Sequence, residues 1–179
     1  MSLRVKKLAE EDFETFFSLI VALADYEGLA PPDSDAKARL KRDAFSDKPR
    51  FEAYLAFLNE EPVGYAIAFE TYSSFLAKPT LHLEDLFVLP SARKKKVGFG
   101  LFKFLAELAL ERGCGRMEWQ VLNWNQLAID FYEKLGAERL TEWLPYRLTE
   151  ERLRRWLSTA PSASPSGESA PAPNSRERK

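Results

Sequence analysis

Apolar positions along this chain change period several times, and each change predicts an element. Leu3 to Leu8 alternates weakly and reads as a first strand. Ala9 to Glu11 reads as a turn, and Asp12 is placed to cap a helix. Phe13, Phe16, Phe17, Ile20, Leu23 and Ala24 then form a helical stripe that fades at Gly28. Pro31 and Pro32 break the chain. Asp33 or Ser34 caps a more polar helix to about Phe45. Arg50 to Leu58 and Val63 to Tyr72 read as strands joined by a hairpin turn over Asn59 to Pro62. Gly64 within the second strand marks a bulge or a close backbone approach. Ser73 to Thr80 reads as a loop.

The next stretch organises the rest. Leu81 to Leu89 is apolar and rich in strand formers, and Pro90 stops it. A short basic loop comes next, with Arg93, Lys94, Lys95 and Lys96 in a row. From Gly98 the period becomes helical, with Leu101, Phe102, Leu105, Leu108 and Ala109 on one stripe and Gly113 as its stop. Arg116 to Leu122 predicts a strand, and Asn125 to Leu135 a helix ended by Gly136. Ala137 to Glu142 and Tyr146 to Leu148 predict late strands around Pro145, and Thr149 caps a short last helix. The order β-α-α-β-β-β-α-β-α-β-β predicts an α/β fold: a mixed, mostly antiparallel sheet with helices on both faces. One domain is expected over residues 1–157. Residues 158–179 are rich in Ser, Ala and Pro and read as a disordered tail.

Composition narrows the function. The 179 residues carry 26 Lys and Arg against 27 Asp and Glu, a formal charge of −1. That balance argues against nucleic acid as a partner despite the RKKK run. No apolar run reaches the length of a membrane span, and the N-terminus lacks a signal-peptide core. The single cysteine, Cys114, excludes an internal disulfide and reads as packing. The chain is therefore expected in the cytoplasm, away from membranes. It has one histidine, His82, and no Cys/His cluster with metal spacing, so no metal is expected.

A basic, glycine-containing loop that opens a helix is suited to phosphate. The first N–H groups of a helix lack internal partners, and the macrodipole adds partial positive charge there. Gly98 and Gly100 keep side chains out of the way of a pyrophosphate, and the four cations add charge. A solvated surface turn is the plainer reading of the same residues.

HLEDLFVLPSARKKKVGFG resembles the strand–loop–helix core of the GCN5-related N-acetyltransferases (GNAT family). Their loop pattern, Arg/Gln-x-x-Gly-x-Gly/Ala, lies here on Arg93 to Gly98, with Lys96 at the first Gly position. A lysine adopts a left-handed conformation only at a cost of about 1–2 kcal/mol. Either the loop is right-handed there, or coenzyme binding is weakened. VLNWNQLAIDFYEKLGAERL is similar to the family's next strand, Asn and helix. Within the family, EDLFV, NWN, DFYEKLGA and LADYEGL are most similar to the diamine and thialysine (spermidine/spermine-type) branch. The resemblance covers about residues 3–150. It implies the acyl-CoA N-acyltransferase fold, splayed between the fourth and fifth strands, and a homodimer. It implies acetyl-CoA as co-substrate, held by Leu86, Phe87 and Val88, by Arg93, Lys94, Lys95, Lys96, Val97, Gly98 and Phe99, and by Asn125 and Tyr132. Asn125 is equally a helix N-cap. Tyr26, Glu27, Glu84 and Asp85 are implied at the amine-binding end.

An amine that attacks a thioester must first lose a proton, since alkyl amines titrate at about 10.4. Strand alternation puts His82, Glu84, Leu86 and Val88 on one face and Leu83, Asp85 and Phe87 on the other. Desolvation inside an apolar strand raises a carboxylate's pKa, which makes Glu84 the candidate base, or else a structural ion-pair partner. His82 is a further acid/base or a structural residue. The leaving thiolate benefits from an acid, and Tyr132 fits, although FY in an amphipathic helix also reads as core. The loop Thr71-Tyr72-Ser73-Ser74 lacks the acidic residue that polyamine-acetylating relatives carry near there. The expected activity is acetyl-CoA-dependent acetylation of a primary amine on a small cationic molecule: a diamine, a polyamine or a lysine-like amino acid. The rivals are a protein or peptide N-acetyltransferase and a non-catalytic acyl-CoA-binding or regulatory module.

Overall fold

The first strand, β1 (Leu3–Lys7), pairs antiparallel with β2 (Glu52–Leu58), β2 with β3 (Glu61–Ser73), and β3 with β4 (Lys78–Val88). A fifth strand, β5 (Arg116–Trp119), joins β4 in parallel, so the order is β1-β2-β3-β4-β5. The structure is a computed structural model that describes residues 2–160. Its described residues divide into two compact units, 2–130 and 131–160.

In the first unit the sheet is covered on both faces, as the alternation of element types predicts. Phe16 and Leu19 of α1 (Phe13–Glu27) pack on Leu55, Tyr65, Ile67 and Phe87. Leu101, Leu105 and Ala109 of α3 (Val97–Glu111) pack on Ala56, Ala66, Leu81 and Leu83 of the opposite face. Each fully buried Leu on this stripe contributes about 1.5–3 kcal/mol of transfer free energy. Double-sided burial explains why β2 reads as a nearly continuous apolar run. The more polar α2 (Ser34–Phe45) is capped by Asp33, whose side chain accepts from the Ala36 N–H at 2.7 Å. Asp12 does not cap α1 as expected: its carboxylate pairs with Lys6 at 2.8 Å.

Turn chemistry sets the hairpins. Asn59 (φ 50°) and Glu60 (φ 68°) are both left-handed, the two-residue turn that matches strand twist. The expected loop from Ser73 to Thr80 is shorter, because the β3–β4 ladder continues through Thr71↔Thr80 to Ser73↔Lys78. Gly64 meets both readings offered for it. The β2–β3 register shifts between Ala56 and Phe57, and a Cβ on Gly64 would lie 2.6 Å from the Phe87 carbonyl oxygen.

Two irregularities shape the open end of the sheet. Leu83 pairs with Ala68 and Asp85 with Ile67, so Glu84 is an extra residue at a bulge. The β4–β5 pairing runs only from Thr80↔Arg116 to Leu83↔Trp119. β5 therefore ends at Trp119 rather than at the expected Leu122, opposite Leu83, the last β4 residue before the bulge. Among the described residues no strand pairs with this edge of β4 from Glu84 to Val88, which is the splay that the family resemblance implies.

The second unit takes up the end of α4 (Gln126–Lys134), stopped at Gly136 (φ 84°), and holds α5 (Glu150–Thr159). Thr149 caps α5, and Arg154 and Arg155 pair with Glu150 and Glu151 one turn back. The expected strands at 137–142 and 146–148 are not formed. Both segments are short, Pro145 between them lacks an N–H, and a strand exists only by pairing. The helix runs through Ser158 and Thr159, two residues past the expected domain end, Ala160 is its C-cap, and residues 161–179 of the predicted tail lie outside the described residues. Among the described residues no helix is long and apolar enough to cross a membrane.

Candidate active site

The basic loop turns back on itself before α3. Lys94 (φ 62°) and Lys96 (φ 63°, ψ 11°) are both left-handed, and Lys96 is the N-cap of α3. This removes the right-handed reading of Lys96: the loop is left-handed at that point and bears the steric cost. No side chain caps the helix, so its first-turn N–H groups, from Val97 to Phe99, are available to an anion. Lys96→Gly is expected to relieve about 1–2 kcal/mol of strain and to lose about 0.5–1 kcal/mol to chain entropy. The net gain of about 0.5–1 kcal/mol is readable as a shift in the urea midpoint; a destabilised variant would sink the strain argument.

The loop side chains divide. Lys94, Lys95 and Lys96 are exposed, while Val97 is buried in the α3 core and offers only its backbone. Arg93 turns inward. Its Nε donates to the Val88 carbonyl at 3.1 Å, and its guanidinium lies 4.4 Å over the Tyr26 ring. Gly100, read as clearance for pyrophosphate, faces Leu3 of β1 instead, so its small size serves helix-on-sheet packing.

Tyr26 is the hub of this end. Its ring lies 6.3 Å from Phe87 and 6.2 Å from Trp124, and its hydroxyl donates to Asn125 Oδ1 at 3.4 Å. Asn125 Oδ1 also accepts from the Ala128 N–H at 3.2 Å, which makes Asn125 the N-cap of α4. Its amide Nδ2 is the donor it can offer a ligand.

A cavity of about 370 Å³ opens on the α1 face of the sheet. Ile20, Leu40, Phe51, Ile67 and Phe69 give it apolar walls, and Glu84, Asp85 and Arg50 bring charge to it. Size and lining suit a small molecule with a few fixed polar contacts. The bulge decides the carboxylates' environments. Glu84 is exposed, at 57%, with Oε2 3.5 Å from His82 Nε2, and His82 lies against Phe69. The simple alternation expected for this strand therefore fails after Leu83: Leu83, Leu86 and Val88 pack with α3, while Phe87 packs with α1.

The desolvation expected at Glu84 falls on Asp85. Burial pushes the Asp85 carboxyl up to about 6, opposed by the Tyr65 hydroxyl that donates to it at 3.2 Å; the charges of Glu84 and Glu27 push it further up. Tyr65 is itself pushed strongly upward by burial and by Asp85, so it stays a donor. Glu27, Glu84 and Asp85 thus share one electrostatic site. Sequence reasoning missed Tyr65 and Arg50. Tyr65 carried a signal, a polar-tipped aromatic beside a constrained glycine in a buried strand, whereas nothing in the sequence pattern places Arg50 at the cavity.

Tyr132 belongs to the second unit. It lies edge-on to Phe131 at 5.2 Å, and burial pushes its phenol up to about 12. Burial and the Glu70 carboxylate likewise push the Cys114 thiol up, and Cys114 packs at the edge of the α3 core. Among the described residues no group of three or more His, Cys, Asp or Glu side chains is placed to hold a metal ion.

Residues 7–137 match the acetyltransferase (GNAT) family. The chain is 32% identical over 164 residues to the thialysine N-epsilon-acetyltransferase of Mus musculus, spanning 86% of this chain and 96% of that protein. It is 42% identical over 91 residues to an L-ornithine N5-acetyltransferase of Arabidopsis thaliana, spanning 51% of this chain and 40% of that protein. Among solved structures, an integron cassette protein from the mobile metagenome of V. cholerae aligns with a TM-score of 0.77 at 25% identity, over 89% of this chain and 99% of that one.

Proposed function

The chain belongs to the acetyltransferase (GNAT) family and is an N-acetyltransferase, and from that membership we propose that it acetylates the primary amine of a small cationic molecule, with acetyl-CoA as donor. The observation that carries the acceptor side is the cavity with Glu84 and Asp85 on its wall. Two carboxylates and the field of Glu27 attract an ammonium group, and apolar walls take its alkyl chain. The names of the similar proteins point the same way, to side-chain amines of lysine-like amino acids.

The residues present fit the donor. The unpaired edge of β4 from Leu86 to Val88 suits an amide-bearing arm that adds like a strand. The uncapped N-terminus of α3 and the exposed Lys94, Lys95 and Lys96 suit its phosphates. Arg93 holds Val88 and Tyr26 in place at that edge, and the Asn125 amide adds a donor. When bound, acetyl-CoA supplies the acetyl group as a thioester.

The chain's own groups then handle protons and charge. Asp85, tuned to about 6, is mostly ionised at neutral pH and takes the proton that the ammonium must lose. Glu84, exposed at the bulge beside His82, passes it to solvent. A second reading makes Glu84 the base through a water, favoured by its place on the cavity wall. Tyr132 would give its proton to the leaving sulfur and regain one from the nitrogen, which sheds its second proton as the amide forms. Its phenol at about 12 keeps that proton at neutral pH. Because a buried phenol is a weak acid, Tyr132→Phe is expected at the low end of the general-acid range, about a hundredfold in kcat with KM little changed. Full activity in that variant would remove Tyr132 from the reaction.

The founding experiment is free-thiol release from acetyl-CoA against amino acids with side-chain amines, diamines, polyamines and peptides. Saturable release with one small amine is the expected result. Coenzyme binding without release for any acceptor would leave a non-catalytic module. Exposed Trp143, Tyr146 and Trp156 support a homodimer; sedimentation as a monomer at assay concentration would remove it.

A further inference from the structure

The cavity is not uniformly acidic. Arg50 stands on its lining together with Glu84 and Asp85. Its main chain is fixed, since the Arg50 N–H donates to the Asp43 carbonyl at 3.0 Å. Its side chain is held loosely. The guanidinium Nε is 3.8 Å from Asp43 Oδ2, while Asp43 Oδ1 is already taken by Arg42 Nε at 2.9 Å. The Arg50 side chain is 78% exposed, so most of its planar fork of donors faces water rather than protein.

A purely cationic acceptor has no use for that group, and its second ammonium would meet a like charge. An acceptor that carries a carboxylate as well as an amine fits both features. We propose that Arg50 pairs with the carboxylate of the acceptor, so that the substrate is an α-amino acid with a terminal side-chain amine rather than a diamine or polyamine. The amine goes to the Glu84–Asp85 wall, the alkyl chain to the apolar surface, and the carboxylate to the guanidinium. Planar, bidentate recognition of a carboxylate is what arginine does better than lysine. Selectivity arises from both sides: an attraction for the acid and a repulsion for the diamine. The inference rests on reading this cavity as the acceptor site.

Two matched pairs test it: lysine against cadaverine, and ornithine against putrescine, each pair differing by one carboxylate. Calorimetric titration into the full chain compares wild type with Arg50→Ala, Arg50→Lys and Arg50→Glu, and thiol release is followed in parallel. Wild type is expected to bind each amino acid at least about tenfold tighter than its diamine, the span of a charged hydrogen bond at an exposed site. Arg50→Ala erases that preference by weakening the amino acids about tenfold, while the diamines, freed of the like charge, bind somewhat tighter. Arg50→Lys restores part of it, and Arg50→Glu tightens the diamines, which a merely structural arginine would not do. Raised salt narrows the wild-type preference. Equal binding of the members of a pair by wild type, equal weakening of both in Arg50→Ala, or binding of neither overturns the proposal. The binding pattern without thiol release would leave Arg50 in place and remove the transfer reading. Release from cadaverine as efficient as from lysine would do the reverse.

Discussion

Asp85→Asn is expected to slow acetyl transfer by about 10²–10⁴ while making the folded chain more stable at pH 7. Both effects have one cause. Burial raises the Asp85 carboxyl from 3.8 to about 6, so the folded state holds this proton more tightly than the unfolded chain does. The stability that comes from this group is fully present below about pH 4 and is lost as pH rises through about 6. At pH 7 the ionised, half-buried carboxylate costs the fold roughly 2–3 kcal/mol relative to its acid form. An asparagine keeps an oxygen for the Tyr65 hydroxyl and carries no charge to desolvate. Urea unfolding should therefore show the variant more stable than wild type at pH 7, with the gap closing near pH 4. The wild-type rate should fall on acidification through about 6, and that limb should vanish in the variant. A surviving acid limb with an undiminished rate would move the base to Glu84, where Glu84→Gln supplies the complementary measurement.

Gly64→Ala is expected to destabilise the chain by about 3 kcal/mol, at the upper end of overpacking costs. The new Cβ would stand 2.6 Å from the Phe87 carbonyl oxygen and 3.4 Å from Val88 Cα. Those are backbone atoms inside a paired ladder, with Gly64↔Val88 and Ala66↔Leu86 on either side. They cannot rotate away, so β3 and β4 must part. Phe87 and Val88 also form the edge proposed to hold the coenzyme arm, so KM for acetyl-CoA should rise in whatever fraction folds. Gly100→Ala gives the contrast. Its Cβ meets only the end of the Leu3 side chain, which can change rotamer, and about 1 kcal/mol is expected. Thermal and urea denaturation of the pair distinguishes a backbone clash from a side-chain clash; equal costs would contradict the assignment.

The early strands, the first three helices and their stops were legible because each depends on local signals. Apolar period, Asp33 as a cap, Gly28 and Gly113 as left-handed stops and Asn59-Glu60 as a turn act within a few residues. The segments at 137–142 and 146–148 look like strands by the same criteria and are not strands, because pairing depends on another segment and sequence alone does not supply one. The site was legible in kind, not in detail. The EDLFV stretch did bring two carboxylates to one cavity. Which of them is desolvated was misassigned, because a bulge inserts one residue and shifts every later side chain to the other face.

The sequence by itself determined the order of elements through the fifth strand, the basic loop at a helix start and the family to which the chain belongs. Those come from local periodicity and short motifs, which need no knowledge of what lies across the sheet. Only the tertiary structure decided that Lys96 is left-handed, that Arg93 turns inward to Val88 and Tyr26, that Asp85 and not Glu84 is buried against Tyr65, and that Arg50 reaches the same cavity. Each of these depends on groups far apart in the chain, and both the dielectric around a charge and the reach of a side chain are set by neighbours that only folding supplies.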